Sequence, residues 1–265
     1  MAIKLVAVDM DDTLLDGTLK VSPRTCEVIQ KAHEQGVLVT IATGRMFSSA
    51  MPFAQELNIR TPIITYNGGM IRSAFTKEML FHKTISPEVA GKIVEFFHEK
   101  GWYLQSHMND ELFVVERNEK AKLYESIAGI AAVPIGDTFY SMRHEPTKML
   151  AIAEPHEILE IQRKINNEFA GDIYAASSKS NYLEMMHPSV NKGHGLELLA
   201  QSLNITREEV MAIGDSNNDI PMLEYAGFGV AMGNATDKIK AVAQAVTGHH
   251  NAHGVAEAIE KYVLK

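Results

Sequence analysis

The first apolar run, Ile3-Lys4-Leu5-Val6-Ala7-Val8, is nearly continuous rather than alternating, is rich in β-branched residues, and stops at Asp9-Met10-Asp11-Asp12-Thr13. Such a run reads as a strand buried on both faces of a parallel sheet. Ser22-Pro23 then supplies an N-cap and a first-turn proline, Cys26, Ile29 and Ala32 recur at helical spacing, and Gly36 closes the segment. Residues Val37 to Ala42 form a second buried strand that runs into Thr43-Gly44-Arg45, and a helix follows from roughly Phe47 to Leu57, which Pro52 delays or kinks. Pro62 to Tyr66 reads as a third strand, closed by Asn67-Gly68-Gly69. Strand, helix, strand, helix, strand implies right-handed crossovers in a parallel sheet.

The pattern changes near Lys83. The spacing predicts a helix from Pro87 to Lys100 stopped by Gly101, neighbouring strands at Trp102 to Met108 and Leu112 to Arg117, and a helix around Glu119 to Ile127. A strand at Met149 to Ala153, a helix at Pro155 to Phe169 and strands at Ile173 to Ala176 and Tyr182 to Met186 complete the stretch. Strands without intervening helices indicate antiparallel pairing, so residues 83–186 read as a separate α+β module. It is an insertion, because the first pattern then resumes. Lys192-Gly193 opens a helix, Val210 to Ile213 is a buried strand ending in Gly214-Asp215-Ser216-Asn217-Asn218-Asp219, and Phe228 to Ala231 and Gln244 to Val246 are further strands before a terminal helix from Val255 to Val263. The fold class expected is α/β, a Rossmann-like open and mainly parallel sheet built from residues 1–82 and 187–265, carrying the inserted module.

Composition narrows the partners. The chain has 265 residues, 46% of them hydrophobic, and a formal charge of −8. An acidic balance argues against a nucleic-acid surface and an anionic membrane face. The single cysteine, Cys26, rules out an intrachain disulfide and suits a reducing compartment. Neither a cleavable leader nor an apolar run of about 18 residues is evident, so the expected location is the cytoplasm. The 14 methionines read as core filler. Oligomeric state is left open.

Four element ends carry unusual polar residues: Asp9 with Asp11, Thr43 with Gly44, Lys192, and Asp215 with Asn218 and Asp219. Open α/β sheets gather such ends in one crevice. Residues i and i+2 of an extended segment point the same way, so Asp9 and Asp11 can approach one substrate together unless the backbone turns between them. Unpaired carboxylates that close force a proton onto one of them unless a cation lies between.

In order and spacing these segments resemble the haloacid dehalogenase-like phosphohydrolases. Asp9-Met10-Asp11-Asp12-Thr13 matches that family's Asp-x-Asp-x-Thr motif, Thr43 its hydroxyl motif, Lys192 its lysine motif and Gly214-Asp215-Ser216-Asn217-Asn218-Asp219 its acidic motif. The wording Ala-Thr-Gly-Arg, Asn-Gly-Gly, Asn-Lys-Gly and Gly-Asp-Ser-x-x-Asp is similar to the Cof-like branch, and the insertion looks like its type C2B cap, expected to close over the crevice. The resemblance implies a phosphatase acting on small phosphate esters, sugar phosphates first, with pyridoxal phosphate or flavin mononucleotide also open. It implies Asp9 as nucleophile, Asp11 as general acid and base, and Mg²⁺ held by Asp9, the Asp11 carbonyl and Asp215. Met10, Thr43, Gly44, Lys192 and Asn218 match the phosphate contacts. Asp219 is held as a supporting or capping acid, and Arg45 as either a helix-start residue or a substrate contact. A phosphotransferase of the phosphomutase type would share every motif, and a non-catalytic binding module would usually have lost Asp9 or Asp11. One departure stands out: Asp12 occupies a position where many relatives have glycine, which tolerates left-handed backbone better.

Two features read as structural. His249, His250 and His253 form a loop before the last helix, and Phe96, Phe97, Trp102 and Tyr103 form core of the insertion.

Overall fold

The structure is a computed structural model that describes residues 2–141 and 143–264. Along the chain the strands are β1 (Leu5–Val8), β2 (Leu38–Ile41), β3 (Ile63–Thr65), β4 (Met70–Arg72), β5 (Met79–His82), β6 (Leu104–Met108) and β7 (Glu111–Val114). They continue as β8 (Ala132–Pro134), β9 (Lys148–Ile152), β10 (Tyr174–Lys179), β11 (Tyr182–Met186), β12 (Val210–Gly214), β13 (Phe228–Ala231) and β14 (Ala245–Val246). Two compact units result. The first comprises Met1–Gly44, Ala50–Phe81 and Asn191–Lys265, and the second Arg45–Ser49 and His82–Val190.

In the first unit a five-stranded parallel sheet has the order β14-β13-β12-β1-β2. A parallel bridge between Ala42 and Ile64 carries the pairing on to β3. β1 sits between two neighbours, Leu5 opposite both Val210 and Leu38, and all four of its side chains are buried. Burying a Val or Leu side chain stabilises by about 1.5–3 kcal/mol, so an unbroken apolar strand is what this central position selects. The helix Pro23–Glu34 starts as the sequence predicts: the Ser22 side chain accepts from the Thr25 amide and Pro23 fills the first turn. Its buried stripe is Thr25, Val28, Ile29 and Ala32, and Cys26 lies half-buried beside it. The helix Phe47–Glu56 runs through Pro52 without a break. After β3 the chain makes a tight turn and returns antiparallel as β4, which pairs with β5, a hairpin the sequence pattern did not predict.

The second unit is a six-stranded sheet in the order β10-β11-β9-β6-β7-β8, antiparallel except for the parallel pair β7 and β8. The helices Pro87–Lys100 and Pro155–Glu168 contribute Ile93, Phe97, Ile158, Ile161 and Ile165 to a core shared with Leu104, Met149, Leu183 and Met185. Gly101, at φ 65°, ends the first of these helices where the sequence places its stop. Phe96, Phe97, Trp102 and Phe169 meet edge to face with ring centroids 5.8 to 6.5 Å apart, the arrangement of a packed core. Lys148 and Glu184, on adjacent strands of this sheet, are buried and joined at 2.8 Å.

Candidate active site

The carboxyl ends of β1, β2 and β12 and the start of the helix Lys192–Ser202 all belong to the first unit. At the end of β1, Asp9 is still extended, φ −65° and ψ 162°. The chain then makes a wide loop closed by the Leu14 amide on the Asp9 carbonyl at 3.2 Å and the Leu15 amide on the Met10 carbonyl at 2.9 Å. Asp11 is extended within it and half-buried, while Asp12 is left-handed at φ 57°, ψ 15°. The residue that departs from the family wording therefore adopts the conformation glycine would favour, at which aspartate is the next most tolerant choice. The Asn234 side chain donates to the Asp12 carbonyl at 2.8 Å and fixes the loop from outside.

Beyond β2, Thr43 is buried; its amide donates to the Ile64 carbonyl and its own carbonyl accepts from the Asn67 amide, each at 2.9 Å. Lys192 opens its helix, whose N-cap Asn191 accepts from the His194 amide at 2.9 Å. A side chain on Gly193 would lie 2.3 Å from the Pro221 carbonyl oxygen, so only glycine lets the two backbones meet there. Gly214 is confined in the same way, its missing Cβ 2.6 Å from the Asp219 side chain.

Lys192 is the hub of the charges. Its Nζ donates to Asp9 Oδ1 at 2.5 Å and to Asp219 Oδ1 at 2.6 Å, and all three residues are buried. Asp219 Oδ2 accepts from the Asp215 and Ser216 amides, both at 2.9 Å, so Asp219 ties the acidic loop to the lysine. Asp215 accepts from the Thr13 hydroxyl at 2.7 Å and the Ser216 hydroxyl at 3.0 Å. Oxygens of Asp9, Asp215 and Asp219 lie within 4.8 Å of one another, and among the described residues this is the one group of acids, histidines or cysteines so gathered. The Asp11 carboxylate is outside it. The Asn218 amide nitrogen donates to Asn67 Oδ1 at 3.0 Å, and Asn218 Oδ1 is buried with no hydrogen-bond partner in the protein.

One ammonium does not balance two buried carboxylates and a half-buried third. Burial, then the charge of Asp219, raises Asp9 well above the usual carboxylate range, and Lys192 pulls back only in part. Burial and Asp219 push Asp215 up to about 7 against the hydrogen bond from Thr13. Burial alone would weaken the Lys192 ammonium, yet Asp219 and Asp9 hold its affinity for the proton above the ordinary value. Such a cluster calls for positive charge. Its donors are hard oxygens with no nitrogen or sulfur among them, so the residues fit a hard divalent cation.

Arg45 falls in the segment Arg45–Ser49 of the second unit, where its guanidinium donates to the Ser49 hydroxyl at 3.4 Å. The three histidines serve as turn residues: His249 Nδ1 accepts from the Asn251 amide, and His253, left-handed at φ 63°, bonds the Ser22 hydroxyl at 2.9 Å. Thr13 and Ser216 donate to Asp215, and Asn67 accepts from Asn218, roles that the sequence did not assign to them. Asn-Gly-Gly at a strand end was the available signal for Asn67.

Comparison with known proteins agrees with this geometry. A model of haloacid dehalogenase-like hydrolases matches residues 6–259. The chain is 32% identical to the 5-amino-6-(5-phospho-D-ribitylamino)uracil phosphatase YcsE of Bacillus subtilis, covering 99% of this chain and 96% of that protein. It is 29% identical to the phosphatase YwpJ of the same organism, over 96% and 98% of the two chains. A haloacid dehalogenase-like hydrolase from Bacteroides thetaiotaomicron superposes with a TM-score of 0.89 at 29% identity, over 98% of this chain and 99% of the other. Among the described residues no helix is long and apolar enough to cross a membrane. The matched sequence, the shared fold and the acids gathered at the strand ends lead to one conclusion: this chain belongs to the haloacid dehalogenase-like hydrolases and is a phosphatase of their Cof-like branch.

Proposed function

We propose that the protein is a cytoplasmic, Mg²⁺-dependent phosphomonoesterase that hydrolyses small phosphorylated metabolites, polyol and sugar phosphates first, through an aspartyl-phosphate. The observation that carries this reading is the meeting of Asp9, Lys192, Asp215 and Asp219. Phosphate monoesters need accelerations of up to roughly 10²¹-fold, so nucleophile, charge neutralisation and proton transfer must act together.

Asp9, fixed at the end of the central strand, attacks phosphorus, and the leaving oxygen departs as the new acyl-phosphate bond forms. Asp11, displaced from the acidic cluster by the wide loop, gives its proton to that oxygen and then takes one from the water that attacks the aspartyl-phosphate; such transfers contribute typically 10²–10⁴-fold. Lys192, Thr43 and the amides of Met10 and Gly44 bind the phosphoryl oxygens, with Asn218 beside them. Asp219 holds Lys192 and the acidic loop in place, using both of its oxygens. Asp9, the Asp11 carbonyl and Asp215 would hold Mg²⁺, which supplies the charge that lets Asp9 stay ionised and reactive.

The substrate class follows from the relatives. Two Bacillus subtilis proteins at 32% and 30% identity are phosphatases of a phosphorylated ribityl compound, and one from Cronobacter sakazakii at 28% is named for HMP-PP. The inserted segment supplies the residues that choose among such esters, and Arg45, outside the insertion in sequence but in the second unit, is a further candidate. The test is phosphate release from a panel of metabolite phosphates with Mg²⁺ and with EDTA, repeated with Asp9→Asn. Release that needs Mg²⁺ and falls by about 10⁴-fold or more in the variant supports the reading. Wild-type turnover of a simple aryl phosphate by Asp9→Asn removes Asp9 as nucleophile.

A further inference from the structure

The loops of the four motifs that carry the assigned roles are joined by a fifth element, the turn Tyr66–Gly68 after β3. Three successive residues there hold positive φ: Tyr66 at 52°, Asn67 at 55° and Gly68 at 99°. Left-handed backbone at a buried tyrosine is unfavourable and persists only where surrounding contacts over-determine it. Those contacts run to three of the motif loops. The Asn67 amide donates to the Thr43 carbonyl at 2.9 Å. The Asn67 side-chain oxygen accepts from Asn218 Nδ2 at 3.0 Å. Gly68 packs so near Asn191 that a Cβ would come within 2.4 Å of its carbonyl oxygen, and Asn191 caps the helix that Lys192 begins.

We propose that Asn67 is a positioning residue for the phosphatase reaction: through its backbone it seats Thr43, and through its side chain it aims the Asn218 amide. The proposal rests on the phosphatase reading above. An amide can present either end by rotating, and a hydrogen bond to one end removes that freedom. With Nδ2 committed to Asn67, Asn218 presents its oxygen, which is buried and has no hydrogen-bond partner in the protein. A buried acceptor left without a donor is costly, so its natural partner is a group on the ligand side that carries hydrogen: a protonated phosphate oxygen, an ester hydroxyl or a water. Asn67 would thus decide which chemistry Asn218 offers the substrate without touching the substrate itself.

The experiment is a double-mutant cycle on an aryl phosphate with Mg²⁺ present. Asn67→Gly keeps a residue at ease in left-handed backbone and deletes the side chain. Its melting temperature should fall by only a few degrees, because easing the backbone offsets part of the lost hydrogen bond to Asn218. Its kcat should fall about 30-fold with KM moving less than about threefold, and Asn218→Ala should do the same. The double variant should be no slower than Asn218→Ala alone, because one interaction is being removed twice. Wild-type kcat in Asn67→Gly, or losses that multiply to about 10³-fold in the double variant, overturn the proposal. If Asn67→Gly does not fold, Asn67→Asp keeps both the backbone tolerance and an acceptor for Asn218, and must then be faster than Asn218→Ala. Failure of the underlying reading looks different: the wild-type protein itself would release no phosphate from any ester.

Discussion

Each unit buries a lysine, and the two are surrounded differently. Lys148 of the second unit meets Glu184 across adjacent strands at 2.8 Å, and the opposite charges cancel where apolar packing would also serve. Lys192 of the first unit meets Asp9 and Asp219, with Asp215 in the same cluster, so the acids outnumber the ammonium. The first arrangement holds a sheet together. The second is unfinished without further positive charge, and that is the physical difference between a buried ion pair that supports a fold and one that prepares a site. Burial by itself does not separate them, since both lysines are 1% exposed.

The sharpest way to break the comparison is to remove each cation. Lys148→Met and Lys192→Met each leave a buried carboxylate uncompensated, and each should lose about 3–5 kcal/mol of stability in EDTA. Adding Mg²⁺ should return part of the loss in Lys192→Met and none in Lys148→Met, read from denaturant midpoints. Equal recovery in both would dissolve the distinction. A smaller effect concerns pH. Because Asp9 and Asp215 bind protons more tightly folded than unfolded, the native state carries the extra protons, and stability in EDTA should fall as pH rises from the ordinary carboxylate range through about 7, the value to which Asp215 is raised. Saturating Mg²⁺ should flatten that slope, and Asp9→Asn should reduce it; a melting temperature in EDTA that climbs over this window contradicts the cluster's electrostatics. The smallest effect is local. Asp12→Gly relieves left-handed backbone at φ 57° and should change stability by no more than about 1 kcal/mol, with little change in kcat.

The parallel core was legible because its signals are local and redundant. Ser22-Pro23 opens a helix where expected, Gly101 ends another, β1 and β12 are apolar runs with acids at their carboxyl ends, and β13 is a further apolar run. The hairpin β4 and β5 was not legible, since three residues ending in Arg72 and a strand whose Met79 and Leu80 are exposed carry no periodicity to read. At the site, strand-end position and the family resemblance singled out Asp9, Lys192, Asp215 and Asp219, which the structure brings together. Sequence alone could not identify Asn67: its importance lies in contacts with Thr43 and Asn218, far along the chain, and in backbone torsions that an Asn-Gly-Gly string only hints at. Nor could it show that Gly193 is required by the close approach of the Pro221 backbone, and Gly214 by the Asp219 side chain, rather than by turns.

The placement of β1 between β2 and β12 also bears on how the chain is made. Its partner on one side is translated soon after it, but Leu5 must wait for Val210 on the other. At ribosomal speeds of about 5–20 residues per second, that apolar strand edge stays uncovered for about 10–40 s. Nascent chains are therefore most open to aggregation and to chaperone capture while the inserted segment is being synthesised.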